Sequence, residues 1–347
     1  MREAEGGGLV AACSRGLVIG IEKGRAARVA ILAGIDEAGF GPLLGPLLVS
    51  CDAFSVEPAL VGADLWETFK RSVGMTRKHL SGRLLIADSK KAFNRDEGLG
   101  HLERTSLAVL QAMGVQTQDV ASLLRFLCPD CLPRLATYPW HQDLQNRLLG
   151  VDRADARIAA KVFADDLQSH GAKLVHLRSG CLDVAYYNTL IDRVKNKSQV
   201  LFITTTRLIQ DLLDKFPGQD IHVLIDRQGG RAHYREHLLR SFGGMDLKIV
   251  HEDEQCSTYE LRTASRMLRL TFEVKGDDHY LPVSLASMIS KYVRELLMEC
   301  MNDYFTGLDA GLRPTAGYWK DGRRFIEDLR SRLPSFRIED HQLIRCR

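Results

Sequence analysis

Two adjacent carboxylates stand where an apolar run meets a glycine and proline turn, in Gly34-Ile35-Asp36-Glu37-Ala38-Gly39-Phe40-Gly41-Pro42. The residues before them, Val29 to Ile35, read as a short apolar strand, and Pro46 to Phe54 after the turn reads as its hairpin partner. A regular strand points neighbouring side chains to opposite faces, so Asp36 and Glu37 need the twist of the glycine turn to serve one site.

A second apolar run, Ile221 to Ile225, ends at Asp226 in the same manner and is followed by Arg227-Gln228-Gly229-Gly230-Arg231. Lys173 to Leu177 is predicted as a strand, and helices over 184–216 separate it from the 221–225 strand, which implies a parallel crossover. Residues just past strand ends in such sheets project into a common crevice. Strands over 247–250, 257–263 and 267–274 extend the sheet. Helices are expected over 59–80, over 96–127 and at 231–241. Residues 284–305 carry apolar side chains at clean helical spacing, with Lys291 and Glu295 one turn apart on the polar side.

Carboxylates gathered at strand ends repel one another unless a cation holds them, and hard oxygen ligands suit Mg2+ or Mn2+. Asp36, Glu37, Asp226 and Glu295 are the candidate set. Such a set holds two ions roughly 3.5 to 4 Å apart in enzymes that cut phosphodiesters by in-line attack. Each residue also has an ordinary reading, a turn-forming Asp or a Glu295–Lys291 pair on a solvated helix face.

The remaining composition limits the partners. With 347 residues, 45% of them hydrophobic, the chain can bury a large core, and a net charge of +3 leaves nucleic-acid binding to local sites rather than bulk charge. No apolar stretch reaches the roughly 18 residues of a membrane span. Eight scattered cysteines suit reduced thiols in a cytoplasm. The one CxxC, Cys128 to Cys131, lacks the second half of a zinc site and reads as a proline-bent loop. Residues 1–27 are expected to form a loosely ordered, glycine-rich leader without visible chemistry. The catalytic domain is expected over 28–335, with insertions near 55–83, 128–171 and 240–272, and 336–347 as a tail.

Four motifs in order carry a resemblance to a known family. GIDEAGFGPLLGP (34–46), DSKK (88–91), VLID (223–226) and KGDDHYLPVSLASMISKYVRE (275–295) resemble those of the type 2 ribonuclease H enzymes. Asn188 in YYNTLI and Tyr318 in GYWKDGRRFIEDL match as well. The resemblance implies an α/β, ribonuclease H-like fold, a mixed sheet flanked by helices with insertions. It implies hydrolysis of the RNA strand of an RNA/DNA hybrid with Mg2+ or Mn2+, two ions, held by Asp36, Glu37, Asp226 and Glu295.

Glu295 in place of the family's usual Asp is similar to the type 3 enzymes. Gly39-Phe40-Gly41 stands where the family has Gly-Arg-Gly, and a phenyl ring offers no guanidinium fork to a phosphate. The alternatives are a nuclease of the same fold acting on DNA or structured nucleic acid, or a nucleic-acid-binding protein without turnover.

The candidate substrate-binding residues are Gly39, Phe40, Gly41, Ser89, Lys90, Lys91, Arg227, Arg231 and Tyr318. Arg227 and Arg231 flank Gly229-Gly230 in a way that suits a phosphate cradle. His279 is a lesser candidate for proton transfer, and Asp277 and Asp278 for indirect support of the metal shell. The basic residues at 320–332 read as a solvated helix face. No protein partner is called for.

Overall fold

The computed structural model describes residues 29–93, 98–150 and 152–346, so the expected leader and Cys13 lie outside the described residues. Nine strands form within them: β1 (Ala30–Ala38), β2 (Leu47–Val56), β3 (Val73–Gly74), β4 (Leu84–Leu85), β5 (Lys173–Leu182), β6 (Ile221–Asp226), β7 (Asp246–Glu252), β8 (Cys256–Arg262) and β9 (Met267–Glu273). Seven build one mixed sheet in the order β5-β2-β1-β6-β9-β8-β7, and β3 pairs with β4 apart from it. The fold class expected from the motifs, α/β with a mixed sheet flanked by helices, is the one observed.

The hairpin of β1 and β2 is antiparallel, with Asp36 opposite Ser50, while β1 and β6 run parallel with Ile35 beside Ile225. Asp36 and Asp226 therefore leave neighbouring strands at the same edge. Both β1 and β2 are buried on their two faces, which is why their sequences are predominantly apolar instead of alternating between apolar and polar. Leu32, Leu48 and Phe54 join a core with the Leu281–Leu308 helix, and Ile31, Ala33, Ile35 and Val49 join a second core under the Val184–Val194 and Lys197–Lys215 helices. The crossover from β5 to β6 carries those two helices, and the two strands run in the same direction as β1 without being neighbours of each other.

One glycine sets how the long helix meets the sheet. A Cβ on Gly34 would stand 2.1 Å from the carbonyl carbon of Pro282, so the first turn of the helix rests directly on the β1 backbone. That contact brings the helix face bearing Ser287 and Ser290 over Asp36. The Ser290 hydroxyl donates to the Asp36 carbonyl at 3.0 Å and lies 2.8 Å from Ser50 Oγ.

The 59–80 segment departs from the expected helix. It holds a 3-10 turn at Pro58–Leu60 and a single helical turn at Leu65–Thr68, capped by Asp64. The chain leaves helical geometry at Phe69, which buries completely, and Trp66 ties the turn down by donating from Nε1 to the Ile86 carbonyl at 2.8 Å.

Residues 128–150 pack along the C-terminal half of the long helix. Trp140 lies against Phe305 with ring centroids 5.2 Å apart, and Arg147 pairs with Glu299 and Asp303. The CxxC loop is buried, its sulfurs 3.5 Å apart, and Cys181 of β5 adds a third thiol that hydrogen bonds with both. The Asp246–Glu252 strand is the exposed edge of the sheet. No helix of the described residues is long and apolar enough to cross a membrane.

Candidate active site

A cavity of about 680 Å³ opens at the C-terminal ends of β1 and β6. Asp36, Glu37, Asp226 and Asp277 supply its carboxylates, and Gly39, Phe40, Gly41, Lys90, Arg227 and Tyr318 line it too. Asp36 and Glu37 close β1 with opposite faces, as the strand period demands, yet both reach the cavity because they sit at its mouth. Asp36 Oδ1 accepts the Glu37 amide at 2.7 Å.

Asp277 arrives by a turn. Lys275 adopts φ +58°, and the next amide, Gly276 N–H, donates to Asp226 Oδ1 at 2.9 Å, pinning the start of 276–279 to the end of β6. The Ser284 hydroxyl holds the Asp277 carbonyl from the other side. Asp88, which caps the Ser89–Ala92 turn, hydrogen bonds to the Asp277 carboxyl.

Burial and mutual repulsion shape the charges of this group. Asp36 is pushed well above the ordinary carboxylate range by burial, then by Glu37 and Asp226, against a hydrogen bond from Ser287. Glu37 is raised to about 8 by burial and by Asp226, with Lys90 opposing. Asp277 is raised to about 7 by burial, Asp226 and Asp88, and Asp226 is raised by burial despite the Gly276 amide. Lys90, partly desolvated, is still held above its usual value by Asp88, Asp277, Asp36 and Asp226.

A divalent cation fits these residues. Every donor is a hard oxygen, Glu37 Oε2 is buried with no hydrogen-bond partner, and the cluster otherwise relieves its repulsion by taking up protons. Among the described residues no three His, Cys, Asp or Glu side chains form a ready-made cage. Repulsion holds uncompensated carboxylates apart until a cation draws them in.

Glu295 is the correction. The structure does not bring it to the cavity. It sits a turn further along the helix, where its Oε1 takes Lys291 Nζ at 2.8 Å and Arg294 Nη1 at 3.0 Å. Two cations already satisfy it, and Arg294, 1% exposed, depends on it for charge balance. The fourth carboxylate at the cavity is Asp277, read from the sequence only as indirect support.

Other expected residues divide. Arg227 lines the cavity but spends its guanidinium on the Gly230, Arg231 and Glu254 carbonyls, closing its own loop. Arg231 does not line the cavity. Its guanidinium lies over the rings of Phe202 and Tyr234, because burial there is offset by the aromatic faces. Lys91 turns outward to Asp278, and Ser89 lies behind the wall, accepting from Ser287. His279 bonds to Glu273, outside the lining. At residues 320–332, Arg324, Arg330 and Arg332 are tied up in ion pairs with Asp321, Asp340 and Asp309.

Phe40 packs beside Gly229 with Lys197 Nζ 5.0 Å over its ring. Lys197 opens the Lys197–Lys215 helix and is exposed, and no motif pointed to it. A Cβ on Gly41 would meet open space, so that side of the loop is free for a ligand.

No family model and no curated protein matches this sequence. Among solved structures, the chain is similar to ribonucleases HII and HIII. The PCNA and RNase HII complex from Archaeoglobus fulgidus matches at 17% identity over 91% of this chain and 94% of that one, with a TM-score of 0.43. Ribonuclease H2 from Pyrococcus horikoshii matches at 14% identity over 88% and 90%, TM-score 0.37. RNase H3 of Aquifex aeolicus matches at 11% over 90% and 70%, TM-score 0.35. Likeness at this level assigns no residue a role.

Proposed function

We propose that this chain is a divalent-metal-dependent endonuclease of the ribonuclease H type, cutting the RNA strand of RNA/DNA hybrids, with Asp36, Glu37, Asp226 and Asp277 as the metal-holding set. The observation that carries the reading is the meeting of these four carboxylates, three of them strand-end or near strand-end groups, in one cavity at raised pKa. A protein that only bound nucleic acid would gain from losing clustered like charges.

Mg2+ or Mn2+, one ion or a pair, supplies when bound the positive charge and Lewis acidity that phosphodiester hydrolysis requires. The chain supplies position. Lys90 places an ammonium among the carboxylates and toward an incoming phosphate, Lys197 adds a second cation at the rim, and Phe40 and Tyr318 offer faces against which a sugar or base can pack. Phe40 also sustains a second reading, action on DNA or a structured substrate, since its ring makes no forked contact to phosphate.

The test is cleavage of three labelled duplexes with Mg2+ or Mn2+: an RNA/DNA hybrid, DNA with one embedded ribonucleotide, and all-DNA. Hybrid cleavage that disappears in Asp36→Asn is the expected result. Cleavage of all-DNA alone moves the assignment to the second reading, and silence on all three removes the nuclease.

A further inference from the structure

The far end of the chain returns to the first motif. Arg345 Nη1 donates to the Gly39 carbonyl, and its Nη2 donates to the Phe40 carbonyl at 3.1 Å. Its own amide donates to the Leu43 carbonyl at 2.9 Å. The guanidinium lies 4.3 Å over the Tyr187 ring. Asn188, fully buried, grips the same segment: its Nδ2 donates to the His341 and Ile344 carbonyls at 2.9 and 2.7 Å, and its Oδ1 accepts the Cys346 amide at 2.7 Å.

Arg345 is 4% exposed, and the charged or ionisable groups facing it are Tyr187 and another cation, Arg294. A buried guanidinium without a carboxylate costs stability, and hydrophobic packing alone would dock this segment more cheaply. What the arginine adds is a fork with two parallel donors, matched here to two successive carbonyls.

Those carbonyls decide where the next amides point. All the described peptide bonds are trans, so each N–H is opposite to the C=O of its own peptide unit. With the Gly39 and Phe40 carbonyls turned to Arg345, the Phe40 and Gly41 N–H groups turn away from it. No hydrogen bond of the described residues uses either amide, and both residues line the cavity. Gly39, at φ +92°, permits the turn, and a Cβ there would collide with Arg294 Nε at 2.6 Å.

We propose that Arg345 is a positioning residue for substrate recognition, fixing the Gly39–Phe40 carbonyls so that the Phe40 and Gly41 amides are presented as paired donors to an oxygen of the nucleic acid. The proposal rests on the nuclease reading for its substrate, while the clamp itself is testable apart from it.

The experiment uses the full chain, with Arg345→Ala and Arg345→Lys. Hydrogen exchange of residues 39–45 reads the clamp, and hybrid cleavage reads its use. In Arg345→Ala the Leu43 and Leu44 amides, which donate to the Gly317 carbonyl, exchange about tenfold faster while β1 and β2 hold their protection, KM for the hybrid rises about tenfold, and kcat stays within about threefold. Arg345→Lys, which keeps the charge but not the fork, falls between, and it provides the same readouts if the alanine variant does not fold. Unchanged exchange at 39–45 in the folded variants, exchange rising equally through β1 and β2, or a loss confined to kcat would each overturn the proposal. If the wild type cleaves none of the duplexes, the nuclease reading fails by itself, and the Arg345 clamp still stands or falls on the exchange data.

Discussion

The Gly276 amide donates to Asp226 Oδ1 at 2.9 Å, which joins the end of β6 to the turn that presents Asp277. Asp277 lines the cavity, whereas Glu295, partly buried, is outside the lining and pairs with Lys291 and Arg294. Asp277→Asn is expected to lower kcat by about 10²–10³, the scale seen when one electrostatic element of a site is removed. Glu295→Gln keeps the carboxylate cluster intact and is expected to hold kcat within about tenfold while lowering Tm, because Arg294 loses its counter-charge. Steady-state cleavage and thermal melts of the two variants decide it, and the reverse ranking would restore Glu295 to the site.

Metal binding is readable without turnover. Mn2+ at a hundred times its Kd stabilises a folded site by about 2.7 kcal/mol. A rise in Tm with Mn2+ is expected in the wild type and should be lost in Asp36→Asn and Asp226→Asn. A wild-type melting curve indifferent to the ion would instead favour a nucleic-acid binder without catalysis.

Asp52 governs a pH response of stability. It lies wholly buried in β2 with neither carboxylate oxygen hydrogen bonded, and burial raises it well above 3.8, outweighing the pull of the nearby Ala286 amide. The folded state thus binds this proton more tightly than the unfolded one. Its contribution is fully present below about pH 4 and is progressively lost as pH rises from there toward the folded value. Asp52→Asn removes that titration and is expected to stabilise by roughly 1–3 kcal/mol at pH 7, with little gain near pH 4. Urea denaturation at the two pH values measures the difference.

Lys197, whose ammonium lies over the Phe40 ring beside the cavity, is expected to contact a substrate phosphate. Lys197→Ala should weaken hybrid binding and reduce the slope of log K against log salt by about one. Binding isotherms at several salt concentrations test this, and an unchanged slope would leave Lys197 as a partner of Phe40 alone.

Trp140 anchors the 128–150 segment against Tyr304 and Phe305. Trp140→Ala is expected to cost about 3–5 kcal/mol of stability. The Mn2+ response of the folded protein should survive, since none of the cavity residues touches that contact, and melts with and without Mn2+ separate the two effects.

What the sequence disclosed and what it hid follow from the range of the interactions. β1, β2 and β6 were legible because strands buried on both faces are largely apolar, and Asp36, Glu37 and Asp226 were legible because each stands at or near the end of such a run. Asp277 was hidden behind a cleaner signal, the helical periodicity that drew attention to Glu295. Its true marker was local and weaker, a Lys-Gly pair after a strand that turns the chain through a positive φ. The 59–80 stretch has helical composition but surrenders it to the burial of Trp66 and Phe69. Arg345, Asn188 and the third thiol, Cys181, act on partners far along the chain, and no spacing pattern encodes such pairs.

Gly34 bears on how the site comes into being. With no side chain between them, the β1 backbone and the first turn of the Leu281–Leu308 helix touch directly. A methyl group there would act as a wedge, lifting the helix and the Asp277 turn ahead of it from the strand that carries Asp36. Since these two parts come from distant stretches of the chain, their contact costs a large loop closure. Metal affinity is therefore a gauge of how closely helix and strand meet, and a Gly34→Ala chain is expected to gather its charges less well.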